Sequence, residues 1–429
     1  MSEEVKTATF ETEEGALKVK KLTPYEAAFM IIGVNIGSGI LSLAYSARFG
    51  GWPILAMWLV IGGVLVTASM LYVAEVALRT KKILQLPGLA ERYLGNTGSV
   101  LIFIGVCCNS LGCMVAYTTG SGAIIASFLG CSETAGGLIF SIPAIIVVFL
   151  GLKTTGVSQK VISTSMIILL AGLVIATFIN KNTDVSRAMY ANWSFALPLL
   201  NMAIFCHITQ YAVPDIVRGL RHTPEMIPKV IISAKIVVTV FLCLVPLSVL
   251  AITGAENVTQ VATIAWGNAL GPVAAIVANL FALTAMLTSY WTHCSSMLNN
   301  VVDIFKFKDE DDRKTRTLAM LVVAGVPLAL AFSGLVGFVD AISMAGAFGG
   351  IIMSVLPIFM LNKARKTGDN QPPWTCGWYA AKWVQGLIII VFIAVLVHLC
   401  VIFPVIFMHT LNIFLSFFQF LSDLPDPLP

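Results

Sequence analysis

The sequence predicts an all-helical polytopic membrane protein, and three observations carry that reading. First, 58% of the 429 residues are apolar, only 11% are charged, and mean hydropathy is +0.90. A soluble domain carries about 25% charged residues, so this chain has too little charge to cover a surface facing water. A soluble fold, a disordered chain and a collagen-like repeat are excluded together. Second, apolar runs of about 20 residues recur along the chain, the length a helix needs to cross hydrocarbon while satisfying its own backbone. Third, basic residues collect in alternate connections between those runs.

Eleven candidate spans lie near 25–48, 52–78, 99–129, 136–152, 160–180, 196–219, 228–253, 270–305, 317–335, 338–362 and 384–408. The first opens on Thr23, Pro24 and Glu26, which read as N-cap, N1 proline and capping-box acid. The eleventh is less sharply bounded. From Gln385 to Leu424 the chain is almost continuously apolar with Pro404 inside, either one long kinked helix or a span followed by an interfacial helix. The segments are a tail (1–23), two five-span halves (24–180 and 181–362) and a final unit (363–429) holding the last span.

With the N-terminus in the cytoplasm, 22 of the 26 basic residues fall in the tail and the five cytoplasmic connections. Three (Arg48, Lys181 and Arg187) lie outside, and Lys235 lies within the seventh span. This asymmetry sets the orientation, because cytoplasmic loops retain lysine and arginine. Lys235 stands within two turns of the cytoplasmic end of its span and is expected to snorkel. Glu75 is expected to pair with Arg79 at i+4. The nine cysteines, an odd count at irregular spacing, form neither a disulfide framework nor a zinc pattern. The acidic start, MSEEVKTATFETEEG, carries no signal-peptide pattern.

Two spans are interrupted. The first reads Gly33-Val34-Asn35-Ile36-Gly37-Ser38-Gly39-Ile40, three glycines in seven residues. The sixth runs from Pro198 through Ile204-Phe205-Cys206-His207-Ile208-Thr209-Gln210 to Pro214. Glycine in a helix interior costs about 1 kcal/mol and frees backbone groups that lipid cannot satisfy. Interruptions at corresponding positions of two halves point to an inverted-repeat transporter with its site at the breaks.

These segments resemble known proteins. "IGSGILSLAYSARFGGW" (36–52) and "ALPLLNMAIFCHITQYAVPDIVRGL" (196–220) resemble the first and sixth helices of the amino acid/auxin permease family. "TSYWTHCSSMLNNVVDIF" (288–305) and "PLALAFSGLVGFVDAISMAGAFGGII" (327–352) look like the eighth helix and the ninth-to-tenth segment of bacterial hydroxy and aromatic amino acid permeases. "LPGLAERYLG" (86–95) looks like the amphipathic cytoplasmic helix of related permeases. The resemblance implies the leucine-transporter-type fold of the amino acid–polyamine superfamily: spans 1–5 and 6–10 as inverted repeats, an eleventh span, and substrate where helices 1 and 6 unwind.

The chemistry of such a break suits a zwitterion. At Ser38, Gly39 and Ile40 a half-helix begins, and its unpaired N–H groups favour a carboxylate. Carbonyls near Asn35 and Ile36, and from Ile204 to Cys206, can accept from an ammonium. No side-chain countercharge is needed. From Lys160 to Lys181, and from Tyr93 to Leu152 apart from Glu133, the spans are uncharged, which favours a neutral L-amino acid. His207 is either a functional group or a neutral ring bonded to freed backbone. Phe205 reads as a gate over the substrate or as packing, and Asn109 and Ser110 as pocket wall or interhelical contact.

No catalytic residue and no resident cofactor are expected. An intramembrane enzyme would need H-E-x-x-H or paired aspartates at mid-depth, and neither motif is present. A channel usually repeats subunits around a pore; an amino acid sensor on a transporter scaffold normally carries a long soluble extension. The expected function is import of a neutral amino acid by cation symport across the plasma membrane, with the bilayer and the substrate as partners, no nucleic acid and a monomer as the unit. Sodium is the expected coupling ion. By resemblance its site takes the carbonyls of Gly33 and Ile36 with Thr292, Ser295 and Ser296, which stand at i, i+3 and i+4. The alternative is a proton. Relatives that use it can place a lysine of span five there, and Val161–Asn180 contains none.

Overall fold

A computed structural model describes residues 21–150, 157–304, 313–334 and 337–402. The helical tail expected at 409–424 lies outside the described residues. In chain order the helices are α1 (Pro24–Asn35), α2 (Ser38–Ala47), α3 (Trp52–Leu78), α4 (Leu86–Leu129), α5 (Glu133–Phe149), α6 (Val157–Ile179), α7 (Ala196–His207) and α8 (Val213–Gly219). They continue as α9 (Ile227–Thr253), α10 (Ala262–Leu270), α11 (Pro272–Ile304), α12 (Arg313–Phe332), α13 (Phe338–Met344), α14 (Ile351–Thr367) and α15 (Lys382–Ile402).

Among the described residues, seven helical stretches are long and apolar enough to cross a membrane: Pro24–Ala47, Trp52–Leu78, Leu86–Leu129, Ile162–Ile179, Trp193–Gly219, Pro224–Thr253 and Pro272–Val302. Glu133–Phe149, Arg316–Phe332 and Lys382–Val397 are shorter apolar helices. Their outer faces remain greasy. Ile232, Ile236 and Val240 on α9 are exposed at i, i+4 and i+8, as are Ile168 and Ile175 on α6. A solvent-facing helix would place charge there; this stripe suits lipid.

The capping box expected at the first helix is present. Thr23 N donates to Glu26 Oε2 at 2.8 Å, and Glu26 N donates to Thr23 Oγ1 at 3.3 Å. Three boundaries differ from the sequence reading. The third span begins at Leu86 rather than 99, because the amphipathic segment 86–95 continues into it across a kink at Gly95, whose φ of 77° L residues rarely adopt. The eighth is preceded by the separate helix α10, ended by Gly271 and Pro272. The tenth is split into α13 and α14 by a π-helical turn, Ala345–Gly350.

At the end of the bundle holding Arg79 and Arg365, a loop is pinned across the helices. Glu75, fully buried, accepts from Arg79 Nε at 2.9 Å, from Arg365 Nε and Nη2 at 2.9 Å each, and from Cys376 N at 2.7 Å. The i+4 pair read from the sequence is thus one part of a larger cluster. Arg79 O accepts from Asp369 N and Asn370 N, and Trp374 Nε1 donates to Pro224 O at 3.0 Å. Asp369 also meets Arg92 at 2.7 Å. That guanidinium hydrogen bond, foremost, holds the Asp369 carboxyl below its usual range.

Candidate functional site

Two helix breaks meet in the bundle core, with α3, α4, α9, α11 and the π turn packed around them. Between α1 and α2 only Ile36 and Gly37 leave the helix. α7 ends at His207, and Ile208 and Thr209 lead into the short 3₁₀ turn Gln210–Ala212. The glycines here are required by contact. A Cβ at Gly37 would lie 2.3 Å from Ser289 Oγ, and one at Gly39 2.8 Å from Cys206 Sγ. Gly39→Val therefore wedges α2 from α7, a cost of about 1–3 kcal/mol for overpacking. A thermal melt of the purified protein should show a midpoint several degrees lower; an unchanged midpoint would contradict this packing.

Lys235 corrects the sequence reading. It does not snorkel. It is 3% exposed and stands eight residues into α9, roughly 12 Å along the helix at 1.5 Å per residue. Its ammonium turns into the core, donating to Asn35 Oδ1 at 2.8 Å, to Thr209 Oγ1 at 3.1 Å and to His207 O. An ammonium has three N–H donors, and here each finds an oxygen. Asn35 Nδ2 completes the cluster by donating to Ile31 O at 2.6 Å and Thr209 Oγ1 at 2.7 Å. Thus the Lys235 side chain ties the end of α1 to the end of α7. The nearby titratable groups are Cys206 and His207, and among the described residues no carboxylate is ion-paired with Lys235.

Beside this cluster lies a small cavity. Its wall contains Asn35 and Gly39 from the first break, Phe205, Cys206 and Ile208 from the second, Asn109 and Tyr117 from α4, and His293 from α11. His293 Nε2 and Tyr211 OH share a hydrogen bond of 2.9 Å, and the two rings lie 4.7 Å apart with their planes tilted by 34°. A pocket at paired helix breaks, walled by aromatic rings and backbone, is the candidate small-molecule site of this chain. The tryptophan/tyrosine permease family model matches residues 20–401. The chain belongs to that family. No individual curated protein is matched.

The sequence reading of an amino acid permease is therefore correct: the family implies an amino acid as the small-molecule substrate and a chain embedded in the membrane. Of the substrate residues read from the sequence, Asn35, Gly39, Asn109, Phe205 and Cys206 line the cavity. Ile36, Gly37, Ile40 and Ile204 form the break and its packing behind that wall, and Ser38 opens α2. His207 faces away from the cavity; its Nε2 donates to Leu59 O on α3 at 3.0 Å.

Among the five sodium candidates, several polar groups are engaged in hydrogen bonds. Ser289, one turn before Thr292, donates to Gly33 O at 3.0 Å. Thr292 Oγ1 donates to its own Thr288 O at 2.9 Å, Ser296 Oγ to Tyr211 O at 3.5 Å, and Ser295 is half-buried. Lys235, Ser289, Tyr117, His293 and Cys113, which also lines the cavity, were missed from the sequence. For Lys235 the signal was available: an ionisable residue within an apolar span is a functional candidate by default.

Proposed function

We propose that this permease is a secondary active importer of a neutral, aromatic L-amino acid, driven by cation symport through alternating access. It sits in the plasma membrane as a monomer with its N-terminus in the cytoplasm. Its eleven spans form a leucine-transporter-type 5+5 inverted repeat, 24–180 and 181–362, with the eleventh in 363–429. The family supports the substrate, and the apposed breaks of α1/α2 and α7/α8 around one cavity support the mechanism. Half-helices that end at the substrate can rearrange without breaking further backbone bonds. The amino acid's carboxylate meets the N-terminal end of α2, and its ammonium meets carbonyls freed at Asn35 and Ile36.

Sodium coupling rests on the carbonyls of Gly33 and Ile36 with Thr292, Ser295 and Ser296. Proton coupling is favoured by one observation, the Lys235 ammonium held by three oxygens between the breaks. A charged lysine there already fills the need for a cation, so we take the proton as the better supported ion. Losing the proton leaves two N–H donors for three acceptors and loosens the tie between α1 and α7. Uptake of radiolabelled tryptophan into proteoliposomes separates the two. An imposed inward proton gradient at zero sodium should drive accumulation; accumulation that follows only an inward sodium gradient at fixed pH would assign the role to sodium.

A further inference from the structure

Asn109 is 1% exposed, lines the cavity, and has no hydrogen-bond partner for either its Nδ2 or its Oδ1 among the described residues. A buried carboxamide with neither end satisfied is costly, and native proteins rarely keep one without a reason. Its backbone cannot swing away. The π turn closes on it so tightly that a Cβ at Gly349 would lie 2.6 Å from Asn109 Cβ. π turns frequently mark functional sites. The second unspent group in the same wall is His293 Nδ1, on a ring whose other nitrogen is engaged by Tyr211. The cavity wall thus offers a backbone-rich end at the two breaks and, on α4 and α11, side-chain hydrogen-bonding capacity with no internal use.

We infer that Asn109 is a specificity-determining residue that reads the polar atom of an aromatic side chain: its Oδ1 accepts from an indole N–H or a phenol O–H. This rests on the amino acid import proposed above and goes beyond it by assigning the side-chain end of the substrate. A ring without such a donor, as in phenylalanine, enters the same apolar space but leaves the amide unsatisfied. Sites built to bond a substrate N–H or O–H reject analogues that lack it far more strongly than apolar pockets reject extra bulk. His293 adds a second polar group at its Nδ1 and keeps its ring oriented through Tyr211.

The test is equilibrium competition against radiolabelled tryptophan on the purified, full-length protein, with tyrosine, phenylalanine and 1-methyltryptophan, which keeps the ring and loses the N–H. Wild type should bind phenylalanine and 1-methyltryptophan at least about tenfold more weakly than tryptophan. Asn109→Leu should weaken tryptophan by about tenfold or more and change 1-methyltryptophan by less than about threefold, which removes the discrimination. Equal wild-type affinity for tryptophan and 1-methyltryptophan would overturn the inference without any variant, as would an Asn109→Leu protein that weakens both ligands alike. Binding of no amino acid by a wild-type protein that melts cooperatively would instead refute the import proposal, and this inference with it.

Discussion

Lys235→Met is expected to abolish proton-driven uptake, with a fall of about 100-fold or more, while leaving the protein as stable as wild type or more so. The two halves of this result have different origins. Burying an ammonium costs several kcal/mol even in real proteins, and removing it with a side chain of similar length is often neutral or stabilising. Asn35, Thr209 and His207 retain part of their bonding in the variant, since Asn35 Nδ2 still donates to Thr209 Oγ1, and Thr209 Oγ1 to His207 O. A purely structural lysine would therefore show a loss of activity only with a loss of stability. Thermal melting beside uptake in proteoliposomes at several internal and external pH values makes the distinction. A Lys235→Met protein that accumulates substrate with the wild-type pH profile would remove lysine from the coupling step.

Glu75→Ala is the second large effect, and it falls on the other side of that division, on stability. Glu75 is the anion that two guanidiniums and a backbone N–H share. Taking it away leaves Arg79, which is 8% exposed, beside Arg365 with no carboxylate between them. Breaking such a buried pair from one side costs about 3–5 kcal/mol, and because Arg365 is one-third exposed and can rehydrate, about 3 kcal/mol is expected. The loop from Gly368 to Ala381 should loosen with it. The buried Cys376 thiol, which donates to Leu71 O at 3.4 Å, then becomes open to maleimide. Mass-spectrometric mapping of the labelled peptide, with a melting curve, checks both. An unchanged midpoint with Cys376 still protected would show that the loop is held by its other contacts.

The membrane class, the helical content and the position of both breaks were legible in the sequence because each is a local or compositional property. Apolar run length reports the crossing of hydrocarbon, glycine density between Gly33 and Gly39 reports a helix that cannot continue, and Thr23-Pro24-Tyr25-Glu26 spells its own cap. Five cavity residues were legible for the same reason: Asn35, Gly39, Phe205 and Cys206 are at the breaks themselves, and Asn109 is a polar residue in an apolar run. Boundaries set by a single backbone state were not. The kink at Gly95 and the π turn at Ala345–Gly350 need φ, ψ and neighbours to be seen.

What only the tertiary structure decided was which distant groups share a point in space. Lys235 is 200 residues from the Asn35 side chain it bonds, and Arg365 is 290 residues from Glu75. Read along the chain, a lysine two turns inside a span can reach either the interface or the core at similar length, and its own segment does not choose. The choice was made by the acceptors. Where α1 and α7 unwind they leave oxygens that lipid cannot satisfy, and an ammonium satisfies three at once, so the side chain turns inward. Composition determined that this protein lives in a membrane and where its helices fail; the packing of those failures against one another determined what fills them.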